Sequence, residues 1–131
     1  MLNTINIKTA TREEIIDITA KVQRFISDQK VDSGIIVIYS PHTTAAITVN
    51  ENADPDVKAD ITSFLNKTIP QYHNFKHLEG NSDAHLKGSL MGFSQTFIIE
   101  KGKLLLGTWQ GIYFMEFDGP RDRKLFLKLV V

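Results

Sequence analysis

Nine residues, His77-Leu78-Glu79-Gly80-Asn81-Ser82-Asp83-Ala84-His85, bring together two imidazoles, two carboxylates, an amide and a hydroxyl. Only Leu78 and Ala84 are apolar, so the stretch adds little to a core. Its donors suit two kinds of chemistry, metal binding and acid–base proton transfer. The same composition also describes a solvated loop with two surface histidines. Gly80 and Asn81 are turn formers, and Ser82 or Asn81 can cap a helix starting at Asp83. That arrangement puts His85 in the first helical turn and lets His77 fold back toward it.

The other two histidines are His42 and His73. His42 follows an apolar run and is bracketed by Pro41 and Thr43-Thr44, a strand end from which a side chain can be aimed at a cleft. Three imidazoles can hold zinc tetrahedrally and leave one position open to water or substrate. The intervals, thirty-five residues from His42 to His77 and eight more to His85, match no His-Glu-x-x-His pattern. Polar histidines that merely hydrogen-bond fit equally well. Glu51, between two asparagines ahead of a helix, reads as a general base, as an orienter of a ligand histidine, or as a group serving the helix dipole. Asp83 carries the same ambiguity. Trp109 lies in Gly107-Thr108-Trp109-Gln110-Gly111, where glycines mark either close approach of a ligand or a bulge beside a core tryptophan. Arg121, after Asp118-Gly119-Pro120, can meet phosphate or project from a solvated turn. No Gly-x-Ser-x-Gly elbow and no Gly-rich phosphate loop ending in Lys-Ser or Lys-Thr is present.

These residues need a scaffold, and 131 residues suffice for one domain, residues 1–131, with its own core. The absence of cysteine excludes disulfides and thiolate chemistry. Fifteen basic residues balance fifteen acidic ones, which argues against a nucleic-acid partner. No apolar run approaches membrane-spanning length and no signal pattern opens the chain, so a cytoplasmic protein without a membrane partner is expected. Residues 2–9 read as a strand, with Ile5 and Ile7 on one face. Thr11 and Glu14 read as a capping box opening a helix with Ile15, Ile18, Val22, Phe25 and Ile26 on one stripe, ending near Lys30. Ile35 to Tyr39, apolar throughout, reads as a central strand covered on both faces. Ala45 to Val49 is extended. Asp54-Pro55 starts a second helix with Val57, Ile61, Phe64 and Leu65 inward, stopping before Pro70. A third helix runs from Asp83 to Gly92. Strands follow at Gln95–Glu100, Leu104–Thr108, Trp109–Phe117 and Leu125–Val131, with a hairpin at Lys101-Gly102-Lys103. The order is α+β. The apolar end Leu129-Val130-Val131 is expected to pair in the sheet or in a subunit interface.

Three stretches carry a family resemblance: His42-Thr43-Thr44 through Glu51-Asn52-Ala53-Asp54-Pro55, Asp83-Ala84-His85-Leu86-Lys87-Gly88-Ser89, and Gly107-Thr108-Trp109-Gln110-Gly111-Ile112. In order and at family length they resemble the YjbQ-like family, whose members are described as secondary thiamine-phosphate synthases. The resemblance implies a compact α+β domain with a mixed or antiparallel β-sandwich-like sheet and flanking helices, assembled as a homotrimer. It implies a cleft with a divalent metal ion, zinc or magnesium, held by His42, His77 and His85, with His73 the rival for the middle place. Gly88 departs from the family's alanine or serine without removing a functional group. The implied activity is a secondary one. A thiazole nitrogen displaces pyrophosphate from a pyrimidine methyl diphosphate, a reaction that needs charge stabilisation on the leaving group more than a base. On this reading Glu51 is the catalytic carboxylate, orienting a ligand or a water. Thr43, Asn81, Asp83, Ser89, Thr108, Trp109 and Arg121 meet a small phosphorylated heteroaromatic substrate. A non-catalytic metal- or small-ligand-binding trimer and a metal-dependent hydrolase are the alternative readings of the same site.

Overall fold

The computed structural model describes residues 2–131. Along the chain lie Leu2–Lys8 (β1), Glu14–Asp17 (β2), Thr19–Asp28 (α1), Gly34–Tyr39 (β3), Ala45–Glu51 (β4), Pro55–Thr68 (α2), Ser82–Met91 (α3), Ser94–Glu100 (β5), Lys103–Leu104 (β6), Gln110–Glu116 (β7) and Asp122–Val130 (β8). A five-stranded sheet has the order β1-β8-β3-β5-β6, and a three-stranded sheet the order β2-β7-β4. Every recorded pairing is antiparallel. The α+β class is the expected one.

The side-chain alternation of strands builds the layers. Ile36 and Ile38 of β3, Leu125 and Leu127 of β8, and Phe97 and Ile99 of β5 face inward, where they meet Ala45, Ile47, Ile112 and Phe114 of the smaller sheet. Val22, Phe25 and Ile26 of α1 plug one side of this core. The opposite face of the smaller sheet, through Ala46, Met115 and Phe117, packs against Leu65 of α2 and Ala84 of α3. The smaller sheet is therefore the middle layer. Its central strand β7 is buried on both faces from Gly111 to Glu116. That is the environment expected of β3, whose residues Ile35 and Tyr39 instead stand on an open outer face. Apolar residues on both faces of β3 do not by themselves say that something covers both.

Three other expectations change. The first helix starts at Thr19, because Ile15 and Ile16 pair with Met115 and Phe114 as strand β2. The Glu14 carboxylate does close a turn, accepting the Ala10 N–H at 2.8 Å, but a strand follows it. Asp17 marks the helix start, taking the Thr19 N–H at 2.9 Å. Strand pairing beyond Lys101-Gly102 stops at Leu104, so Leu105 to Trp109 form a loop rather than strand ends. In α2, Asp54 caps as expected, accepting the Asp56 N–H at 2.9 Å, but of its predicted stripe only Leu65 is buried and Phe64 is exposed. The last strand runs to Val130, paired with Ile35, and Val131 is exposed. No helix among the described residues is long and apolar enough to cross a membrane.

Candidate functional site

After Pro70 the chain makes a polar loop that ends where the Asn81 backbone carbonyl accepts the N–H groups of Ala84 at 3.0 Å and His85 at 3.3 Å, the first turn of α3, with no capping bond from the Asn81 side chain. His85 thus projects from the helix start, and the loop carries His77 back to it. Their rings meet edge to face with centroids 5.4 Å apart. The two imidazoles, with Phe75, Lys76, Ser82 and Leu86, line a groove of about 340 Å³. His77 is also 3.6 Å from the Glu79 carboxylate. The rival His73 is exposed and packs against Phe75 at 5.5 Å.

His42 is engaged elsewhere, its Nε2 lying 3.0 Å from the backbone nitrogen of Lys124 and 3.1 Å from its carbonyl oxygen. Burial and the nearby Arg123 guanidinium lower its proton affinity below that of a free imidazole. Among the described residues no three of His, Cys, Asp or Glu gather into a group able to hold a metal ion, so His42 does not join His77 and His85 within one chain.

Around the start of α3 lies a charge network. Asp83 is fully buried and accepts Arg12 at 2.9 and 3.3 Å and Lys87 at 3.0 Å. Lys87, itself fully buried, donates to Asn66 of α2 at 2.6 Å. Burial alone would raise the Asp83 carboxyl, but hydrogen bonds from Arg12 and Lys87 outweigh it and hold the group below its ordinary range. Asp83 is thereby a structural anchor, its oxygens turned to the chain rather than to a ligand. Asn81 donates to Asp118 at 2.9 Å, and Arg121 reaches the same carboxylate oxygen at 3.0 Å with its side chain half exposed. Asn81 and Arg121 are therefore brought together. Ser89 is exposed and donates to the His85 carbonyl at 2.9 Å.

A second buried pair ties the sheets. Glu116 accepts both Arg123 and Thr9, and takes the Asp118 N–H at 3.0 Å, while Arg123 donates to the Thr44 hydroxyl at 2.8 Å. Burial would raise the Glu116 carboxyl, yet these donors hold it low. Thr43, one residue earlier, is exposed.

Glu51, Thr108 and Trp109 occupy the far end of β4. Glu51 ends the strand opposite Gln110, and Asn52 donates to the Trp109 carbonyl at 2.9 Å. The seven residues of β4 separate this end from Thr43 by about 20 Å. Trp109 is 62% exposed, so it is no core tryptophan. The room beside Gly111 is taken by the chain itself, since a Cβ there would stand 2.6 Å from the Asn52 amide nitrogen. The sequence reading thus resolves into a histidine groove with its Asn81–Arg121 flank, a His42–Thr43 corner whose Thr43 carbonyl packs on α3 at Gly88, and a Glu51–Trp109 end. It missed Arg12, Lys87, Glu116 and Arg123. The four-residue interval from Asp83 to Lys87 is a helical ion-pair spacing and could have exposed one of them.

The fold and groove define a three-layer antiparallel α+β domain with paired imidazoles at a helix start. Residues 3–131 match the family model described as UPF0047 protein YjbQ-like. A UPF0047 protein of Methanocaldococcus jannaschii is 62% identical over 130 residues, covering 99% of this chain and 94% of the relative. YugU of Bacillus subtilis is 53% identical over 131 residues, covering 99% of each. A solved structure of an uncharacterized YjbQ/UPF0047 family protein from Clostridium acetobutylicum superposes with a TM-score of 0.95 at 55% identity, over 98% of this chain and 99% of that one. A YbjQ-like protein of unknown function from Sulfolobus solfataricus does so with 0.93 at 32%, over 98% and 95%. The chain belongs to the YjbQ-like UPF0047 family.

Proposed function

We propose that this protein is a metal-dependent enzyme acting on a small phosphorylated heteroaromatic substrate, with secondary thiamine-phosphate synthase activity. The observation that carries the reading is the His77–His85 pair facing one groove at 5.4 Å. Two imidazoles fit a partly solvated divalent cation, with zinc favoured over magnesium by nitrogen donors, and do not fit a closed four-ligand structural site. His77 and His85 would hold the cation, which supplies charge stabilisation to a departing diphosphate when bound. The chain contributes the rest. Lys76 and Ser82 offer a charge and a hydroxyl to a phosphoryl group, and the start of α3 favours an anion. Arg121, steadied by Asp118, adds a guanidinium nearby. The homotrimer that the resemblance implies belongs to this reading, and the apolar outer face of the larger sheet along Ile35, Tyr39, Ile98 and Val130 supports self-association.

The test is elemental analysis of untagged protein, followed by turnover of pyrimidine methyl diphosphate with thiazole phosphate. Near-stoichiometric zinc lost in His77→Ala and His85→Ala, together with pyrophosphate release, supports the reading; zinc unaffected by both substitutions overturns it. The non-catalytic metal- or small-ligand-binding reading shares the same groove. Tight binding of thiazole phosphate without turnover of either substrate would select that reading, and turnover of simple phosphoesters would select the hydrolase.

A further inference from the structure

Strand β3 stops at Tyr39, opposite Phe126 of β8. Continuing that register would put Pro41 opposite Lys124, and a proline has no N–H to give. His42 takes the vacated place. A single ring nitrogen, Nε2, lies 3.0 Å from the Lys124 N–H nitrogen and 3.1 Å from the Lys124 carbonyl oxygen. The two partners are complementary. A bare Nε2 accepts the N–H, which leaves the hydrogen on Nδ1; an Nε2–H donates to the carbonyl, which leaves a lone pair on Nδ1. Both forms are neutral, and exchanging them moves one proton off one nitrogen and one onto the other through solvent. The ring need not move, because the N–H and C=O of one residue, Lys124, satisfy Nε2 in either form.

Nδ1 has no partner among the described residues, yet the one buried, unpartnered side-chain nitrogen or oxygen among them is Asn81 Oδ1. Nδ1 therefore reaches solvent. The charges that act on the ring are Arg123, Glu116 and Lys124, two positive and one negative, with Glu116 already taken up by Arg123 and Thr9. An anion is the charge favoured at that nitrogen. We propose that His42 is a hydrogen-bond donor, through Nδ1–H, to an oxyanion of the bound ligand and is not a metal ligand. This deepens the reading above, whose phosphorylated substrate supplies such an oxyanion.

The test is long-range proton–nitrogen correlation NMR on the histidine-labelled full chain at neutral pH, free, with inorganic phosphate alone, and with Zn²⁺ alone. Phosphate is expected to drive His42 toward the form protonated on Nδ1. Zn²⁺ is expected to shift ring nitrogens of His77 and His85 and to leave both of His42 unchanged. A Zn²⁺-induced shift at His42 Nδ1 would overturn the inference in favour of ligation, and indifference of His42 to phosphate would reduce it to a strand-end plug. Should Zn²⁺ move neither His77 nor His85 while phosphate still moves His42, the metal reading of the groove fails and the assignment of His42 stands.

Discussion

Glu116 and Arg123 show how much of this domain rests on single side chains. Each is buried, and each satisfies the other together with Thr9 and Thr44. Removing one partner leaves an uncompensated charge between two sheets, so Arg123→Met should cost about 3–5 kcal/mol by urea unfolding. The double substitution Glu116→Gln with Arg123→Met should recover part of that loss. Asp83 and Glu116 also set the acid limit of the fold. Both carboxyls are held below their ordinary range, so the unfolded chain binds their protons more readily. Their contribution is complete above the usual carboxylate pKa of about 4 and is lost as pH falls through the lower folded values. Thermal scans should give a steady melting temperature from pH 7 to about 5 and a decline below about 4, with a shallower decline in Glu116→Gln relative to its own neutral-pH value. None of this chemistry was legible in sequence beyond the Asp83–Lys87 interval. Glu116 finds Arg123 across a turn, and Asp83 finds Arg12 seventy-one residues away, so only the folded chain makes them neighbours.

At the scale of elements, local signals read well where local chemistry decides the outcome. Asp54-Pro55 starts a helix and Lys101-Gly102 turns a hairpin with both residues at positive φ, whereas Asn81 precedes α3 without capping it through its side chain, which turns to Asp118. They fail where a distant partner decides. Ile15 and Ile18 keep a helical spacing, yet β7 recruits Ile15 into a strand and leaves Ile18 at the junction before α1. The histidine groove was legible because a turn joins its halves, whereas the place of His42 was not, since it depends on where β3 ends relative to β8. The Gly107–Trp109 segment illustrates the same limit. Its glycines suggest close packing, and the structure puts the indole on an exposed turn. Trp109→Ala should therefore change the stability of the subunit by no more than about 0.5 kcal/mol, and Trp109→Phe should retain the fold. The emission of this lone tryptophan should lie at long wavelength and respond to acrylamide in the free protein. Blue-shifted emission insensitive to acrylamide would show that the turn is covered in solution.

For the molecule as a whole, the exposed apolar residues of β3, β5 and β8 make the outer sheet face the surface on which copies would meet. A homotrimer would scatter light with about three times the subunit mass of 14.8 kDa. Ile98→Lys, on that face, should shift the mass toward a single subunit at micromolar concentration while far-ultraviolet circular dichroism stays unchanged. An unaltered assembly would move the interface elsewhere. Strand order has a further consequence for how such a molecule is made. β8 lies between β1 and β3, with Leu2 opposite Lys128 and Ile35 opposite Val130. During synthesis β8 emerges only after β1 to β7, so β1 must wait for all of them without a neighbour in its sheet. Closing so long a loop is entropically unfavourable and slow. A nascent chain arrested before Asp122 should remain protease-sensitive at β1, and emergence of β8 should confer resistance in a single step.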